Sequence, residues 1–454
     1  MLRLNLLKIL FFISINFSAI AQTEDSVTIR KIYNYFLEDS KCYTNLNYLC
    51  KKIGNRLSGS EACNKAVDWA YKLMQQYHPD TVYLQPVKVP VWKRGQADCT
   101  MFTKTNKKEL AVISLGGSVS TPHPIKAKVI EVTNEKQLEL LGEKNIKGKI
   151  VFFNVKFNPK NISTLQSYGE TVMNRYYGAS MSAKYGAVAF LIRSMTLCNN
   201  NSPHAGGMKY NMQISDKKIP AMALSYQAAD TLSYYLKNDN NIELEIFNEM
   251  TFLDSAVSYN VIAEIKGSKY PNEYITIGGH LDSWDVGEGA HDDGAGIVQC
   301  IDAINIFKTY KPLHTIRIAA FMNEENGLMG GKTYANIALQ KKERHIAALE
   351  TDLGGFTPRF ITVDSILYNN CKNWNHLFNP YLITILPGGD GSDIYLLKET
   401  LGTPLIGYIP DGQRYFDIHH TKDDVFESVN KRELELGGAA ISSFIYMLDK
   451  YYQQ

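Results

Sequence analysis

The amino-acid sequence predicts an α/β protein, a doubly wound mixed sheet with a smaller α/β domain inserted into it. Three observations predict this. From about residue 256 the chain alternates strand and helix patterns, with strands at 273–278, 315–322 and 345–350 and helices at 293–309 and 330–341. Histidine and acidic residues gather just after those strands, where open α/β sheets place their sites. Between about 111 and 255 the pattern changes to short apolar runs around a helix, which reads as a small mixed α/β insertion. A chain of 454 residues has room for this second unit.

In chain order, residues 1–21 read as a secretory signal peptide. Arg3 and Lys8 border the apolar run Ile9-Leu10-Phe11-Phe12-Ile13, and Ala19-Ile20-Ala21 puts small residues at the cleavage positions before Gln22. That run is too short, and too interrupted by Ser14 and Asn16, to span a bilayer comfortably. A secreted or periplasmic location is therefore expected. Residues 27–37 repeat apolar groups at three and four residues and predict a helix. The loop Gly54-Asn55-Arg56-Leu57-Ser58-Gly59-Ser60 ends in a cap-like serine before a second helix, 62–77. Strands are expected at 81–84, 87–92 and 126–132, then a turn at 147–149 into a buried strand. A helix at 173–185 and a buried strand at 186–192 follow. The expected units are a first part of the main domain at 22–110, the insertion at 111–255 and the main part at 256–454.

Composition narrows the function. A hydrophobic fraction of 45% and a charged fraction of 21% are ordinary for a globular chain. Without Arg3 and Lys8 the mature chain holds 46 basic and 46 acidic residues, and no basic cluster stands out. Nucleic acid and anionic membranes are poor partners for such a chain. The seven cysteines are scattered without a CxxC pair; mostly buried thiols are expected, with at most one bridge such as Cys42–Cys50.

The chemistry sits at the strand ends. His280 and Asp282 follow the first of the three strands, Glu324 and Glu325 the second, Asp352 the third. A Gly-rich turn, Gly287-Glu288-Gly289-Ala290-His291-Asp292-Asp293-Gly294, runs into a helix. Late in the chain comes Tyr415-Phe416-Asp417-Ile418-His419-His420-Thr421-Lys422-Asp423-Asp424. Histidine and carboxylate ligands without cysteine suit zinc in a hydrolytic site. A carboxylate can bridge two ions that activate water, while a neighbouring free carboxylate takes its proton. A Gly-x-Ser-x-Gly elbow and a His-Glu-x-x-His helix are both absent.

These stretches, with Val89-Pro90-Val91-Trp92-Lys93-Arg94-Gly95 and Gly388-Gly389-Asp390-Gly391-Ser392-Asp393, resemble the dizinc aminopeptidase and glutamate carboxypeptidase family over nearly the whole mature chain. The resemblance implies two zinc ions per subunit: His280 and Asp352 on one, Glu325 and His420 on the other, Asp292 bridging. It implies Glu324 as general base and Asp282 as the carboxylate that orients His280. It makes 111–255 the family's protease-associated insertion, and it implies a cis peptide bond after Asp292, a homodimer, and an exopeptidase acting on dipeptides or peptide ends. Cobalt or manganese could replace zinc in such a carboxylate-rich site.

Several residues carry two readings. Trp284 and Asp285 either shape the substrate pocket or pack a loop. Ser392 and Asp393 either line the substrate or form a turn, and His204 is a loop residue or a substrate contact. Asp293 is expected to start a helix, and His291 to point away from Asp292. His420, followed by Thr-x-x-Asp, is favoured over His419. A glutaminyl cyclase would work with one zinc, and a receptor on the same fold would have lost ligands; these are the alternative functions.

Overall fold

The computed structural model describes residues 24–239 and 241–452, so the expected signal segment lies outside the described residues. Helix α1 (Glu24–Glu38) buries Ile29, Ile32, Tyr33 and Phe36, the three-and-four spacing that predicted it. After α2 (Cys42–Tyr48), α3 (Glu61–Gln76) begins where expected: the Ser60 hydroxyl accepts a hydrogen bond from the Cys63 amide at 3.0 Å.

Fourteen strands among the described residues join one continuous sheet. They are β1 (Thr81–Phe102), β2 (Lys107–Glu109), β3 (Val112–Ser114), β4 (Ile125–Val132), β5 (Ile150–Phe153), β6 (Ala189–Arg193), β7 (Ala221–Leu224), β8 (Glu243–Ile265), β9 (Tyr270–His280), β10 (His314–Phe321), β11 (Arg344–Glu350), β12 (Pro358–Val363), β13 (Thr384–Pro387) and β14 (Leu405–Pro410). The order runs β13-β12-β14-β11-β9-β10-β8-β4-β5-β6-β7-β3, with β1 paired along β8 and β2 on β1. Strands β10, β9, β11 and β14 are mutually parallel; β8 and β12 join them antiparallel. The sheet is therefore doubly wound and mixed, as predicted. Helices α4 (Glu135–Ile146), α5 (Thr164–Lys184) and α6 (Tyr226–Asn238) pack on its β4–β7 part, α7 (Ala295–Tyr310) and α8 (Met329–Lys341) on its β8–β11 part.

Strand β10 shows how the main layers form. Ile316, Ile318 and Ala320 point into the core shared with α1, α3 and α7. Ala319 and Phe321 point the other way, against Tyr334, Ala335 and Ala338 of α8. A strand buried on both faces reads as an unbroken apolar run, and that run was its sequence signature.

Three expectations change. Runs 81–84 and 87–92 are one strand, because Pro86 and Pro90 sit on an edge strand, with a register shift beside Pro90, where a missing amide costs no ladder bond. The expected boundary at 255/256 falls inside β8, which pairs with β4 through residues 243–246 and with β10 through 261–265. Helix α5 starts at Thr164 and not at 173; the face it buries carries Ser167, Thr171, Arg175, Gly178 and Ser182, so no apolar period announces it.

The cysteines among the described residues are free, and Cys42 and Cys50 are not bridged. Eight residues along one helical run separate Cα atoms by roughly 12 Å, beyond disulfide reach. Cys42 Sγ instead donates to the Val298 carbonyl at 3.3 Å. No helix among the described residues is long and apolar enough to cross a membrane.

The loop at 54–60 is fastened to the strand ends by Arg56, which is fully buried. Its Nε donates to the Leu281 carbonyl at 2.6 Å, Nη1 to Glu288 at 2.7 Å and Nη2 to Gly289 at 2.9 Å. Arg56→Met would strand three buried carbonyls. The expected loss is about 3–9 kcal/mol of unfolding free energy, at one to three per unpaired group, read by urea denaturation. A loss under about 1 kcal/mol would mean that other donors reach those carbonyls.

Candidate active site

Strand β9 ends on His280, β10 on Phe321 just before Asn323-Glu324-Glu325, and β11 on Glu350 just before Asp352. Three neighbouring parallel strands thus present one carboxyl-end crevice. Two loops complete it. Asp292 precedes α7, and His420 sits in the left-handed region at φ 61°. The Asp292–Asp293 peptide is cis.

Asp293 ties the first loop to the sheet. Its Oδ2 accepts from the His280 amide at 3.1 Å and its Oδ1 from the Gly296 amide at 3.0 Å, at the first turn of α7. Both oxygens are thereby engaged, which suits the helix-starting role. Asp424 holds the other side: its oxygens accept from the His291 amide at 2.8 Å and the Asp292 amide at 3.2 Å.

The structure brings His280, Asp292, Glu325, Asp352 and His420 together. The two oxygens of Asp292 are divided: Oδ1 lies 3.1 Å from His280 Nε2, and Oδ2 lies 3.2 Å from His420 Nε2. His280 Nε2 is also 3.2 Å from Asp352 Oδ1, and His420 Nε2 is 3.1 Å from Glu325 Oε2. Each imidazole nitrogen therefore faces two carboxylates with at most one proton to offer. A cation at each junction satisfies all three atoms at once. The spacing fits, because ligands about 2.0–2.1 Å from a tetrahedral zinc stand about 3.3 Å apart. The residues present thus suit metal ions.

Electrostatics agree. Burial opposes charge on His280, yet Asp352 and Asp292 hold its pKa well above the usual range. Burial also opposes charge on His420, but Glu325 and Asp292 push it up to about 10. Burial and the Asp292 charge push Glu325 up to about 7. Burial raises Glu324 strongly, with Asp352, Glu325 and Glu350 adding to it. Burial and Asp352 take Glu350 up to about 8. Two histidines do not neutralise this crowd of acids; dications would.

The remaining expected residues fall out as follows. The Asp282 carbonyl, not its carboxylate, takes the His280 Nδ1 hydrogen bond, at 3.0 Å; the carboxylate stands 3.9 Å away. Asp282 Oδ1 instead accepts from the Asn323 amide at 2.7 Å and the Glu324 amide at 3.1 Å. Trp284 is buried, crosses Trp92 edge-on, and donates its amide to Glu325 Oε1 at 3.2 Å. Asp285 is ion-paired to Arg94 at 2.8 Å. Ser392 is exposed. Asp393 is buried, its Oδ1 accepting from the Gly331 amide while Oδ2 has no partner. His291 stacks on Phe356, and its Nδ1 accepts from the Gly355 amide, away from Asp292. His419 stacks on His420 at 3.5 Å and reaches Asp292 Oδ2 at 3.5 Å, but it forms no ion pair with Glu325. His420 alone of the pair meets both carboxylates. Sequence reasoning missed Arg175, a buried cation near His419 that no motif marks.

Comparison with known proteins gives the same picture. The family model described as Peptidase family M28 matches residues 260–445. Carboxypeptidase Q of Xenopus laevis is 36% identical over 391 residues, covering 85% of this chain and 81% of that protein. Carboxypeptidase Q of Homo sapiens is 31% identical over 420 residues, covering 90% and 86%. The crystal structure of a Peptidase M28 precursor from Shewanella amazonensis SB2B superposes with a TM-score of 0.88 at 33% identity, covering 94% of this chain and 96% of that one. A zinc aminopeptidase from Bacillus subtilis shares the fold, with a TM-score of 0.63 at 18% identity over 89% and 93% of the two chains. The chain belongs to peptidase family M28.

Proposed function

We propose that this chain is an exported, zinc-dependent exopeptidase that splits dipeptides or releases terminal residues from peptides. The observation that carries the reading is the division of Asp292 between His280 and His420, which makes two adjoining sites from five side chains. In this reading His280 and Asp352 hold one ion, Glu325 and His420 the other, and Asp292 serves both. Bound zinc would supply Lewis-acid polarisation of the peptide carbonyl and acidify a water.

The chain's own residues do the rest. Glu324 takes the proton of the attacking water and delivers it to the leaving amine. Asp282, by accepting the Asn323 and Glu324 amides, fixes the backbone that aims this carboxylate. The Asp282 carbonyl sets the His280 ring, leaving Nε2 toward the site. Buried Trp284 walls the cavity beside Asp292, Glu325 and His420, and water exclusion there strengthens each charge interaction. A signal segment at 1–21 and a homodimer belong to the same reading.

Hydrolysis of free dipeptides, N-blocked dipeptides and aminoacyl amides tests it. Free dipeptides should be cut, a chelator should stop the reaction, and the blocked substrates should show which end is read. Glu324→Gln should lower kcat by roughly 10²–10⁴-fold with metal content unchanged. A folded, metal-loaded protein that cuts nothing would move the function to the cyclase or receptor alternatives.

Metal removal gives a second check, independent of turnover. Zinc at about a thousandfold over its dissociation constant should raise the unfolding free energy of the chelated protein by about 4 kcal/mol. Asp292→Asn should forfeit most of that gain. An unfolding curve indifferent to zinc would reject the metal site.

A further inference from the structure

Arg94 lies on β1, just before a register shift between Arg94 and Ala97 in its pairing with β8. Such irregularities re-aim a side chain beside a site. Each guanidinium nitrogen of Arg94 is used. Nε donates to both carboxylate oxygens of Asp285 at 3.1 Å, and Nη2 donates to Oδ1 at 2.8 Å. Nη1 donates to the carbonyl of Ser114, the last residue of β3. The group also lies 4.8 Å from the Trp92 ring centroid and 5.7 Å from that of Trp284. A planar fork on a carboxylate, set against aromatic rings, is a geometry that lysine cannot reproduce. The Arg94 side chain is 10% exposed, so water screens the pair little.

What this pair steadies is the neighbouring backbone. The Trp284 amide donates to Glu325 Oε1 at 3.2 Å, which leaves Oε2 at 3.1 Å from His420 Nε2. Two anchors flank that amide. Upstream, the buried Ser283 hydroxyl accepts from the Arg56 amide at 3.1 Å. Downstream, the Asp285 carbonyl accepts from Asn55 Nδ2 at 3.3 Å on the exposed side, and the Asp285 carboxylate is forked on Arg94. Arg94 is therefore the shielded half of the downstream anchor. His280 is held by other groups, the Asp282 carbonyl and the Asp293 carboxylate. The two ends of the site thus rest on separate supports.

We propose that Arg94 is a positioning residue for the metal site of Glu325 and His420: by forking onto Asp285 it keeps the Trp284 amide on Glu325 and so aims Oε2 at the ion. This rests on the two-ion reading and deepens it. Without the fork the chain after Trp284 relaxes, Glu325 loses the donor that fixes one oxygen, and its carboxylate is free to rotate. Contacts that orient a metal ligand in this way are worth about 10–100-fold in metal affinity. Because Nη1 also grips Ser114, the same guanidinium ties the 111–255 segment to one ion and not to the other.

Zinc titration of the full, chelator-stripped chain, followed by calorimetry, tests this. The wild type should take up two ions, and Glu325→Gln shows which binding step belongs to the Glu325 site. Arg94→Gln should weaken that step about 10–100-fold and leave the other unchanged. Arg94→Lys, which keeps the charge but not the fork, should recover little of the loss. Asp285→Asn, which keeps the volume, should repeat the loss and carries the test should Arg94→Gln fail to fold. Saturating zinc should restore kcat on a free dipeptide in both the Arg94→Gln and Asp285→Asn chains, since the defect is one of affinity. Equal weakening of both steps would overturn the proposal, because general damage does not choose between ions. Two unchanged steps would overturn it as well, and so would a kcat that excess zinc does not restore. A folded wild type that binds fewer than two ions overturns the two-ion reading itself.

Discussion

The site depends on one constraint: two imidazole nitrogens must share one carboxylate. Asp292 gives one oxygen to each, at 3.1 and 3.2 Å, in a fully buried setting. A side chain can do this only if its backbone is held from both sides. Asp424 accepts the amides of His291 and Asp292, Asp293 accepts that of His280, and Arg56 grips the carbonyls of Glu288 and Gly289 just before. Three buried side chains, Arg56, Asp293 and Asp424, thus hold one turn. Glycine is required there too, since at Gly289 (φ 60°) a side chain would crowd Ser283 and Arg56.

The sheet supplies the rest cheaply. Parallel β10, β9 and β11 end level with one another, so three short continuations deliver Glu324, His280 and Asp352 to one crevice. Asn323 turns the chain at φ 71°, with its amide on Asp282 and its side-chain nitrogen donating to Ser58 at 2.6 Å. The loop recognisable in the sequence as Gly54–Ser60 therefore buttresses the turn that carries Glu324 and Glu325.

How much of this was legible follows from where each signal lives. The β9–α7–β10–α8–β11 succession was readable because each strand is apolar on both faces and each helix is bounded by turns. The five candidate ligands were readable because each lies within a residue or two of a strand end or in a short motif. Helix α5 was read short, because its buried face is small and polar. The single strand β8 was cut at 255/256, because exposed Phe252, Leu253 and Val257 interrupt its alternation. Arg175 carried no signal at all: an arginine on a helix is ordinarily a surface residue, and only three-dimensional packing reveals that this one lacks a counter-ion. The role of Asp282 was read as a side-chain contact where the carbonyl makes it, a distinction that sequence spacing cannot draw.

The continuity of β1 and β8 bears on how the two parts of the molecule work together. A linker of loops would let the 111–255 segment swing over the site. Two long strands paired along their length, braced where the Trp284 ring fills the space beside Gly116 and where Trp92 meets Trp284, resist such a swing. The Ala205–His420 hydrogen bond adds a direct tie to the backbone of a candidate ligand. Displacing the segment would therefore unpack buried tryptophans and pull on the backbone of His420 together. The distance between the 204–207 loop and the carboxylates of Asp292 and Glu325 is then set by the folded state, because the loop cannot shift without stretching the Ala205–His420 hydrogen bond or unpacking Trp92 and Trp284.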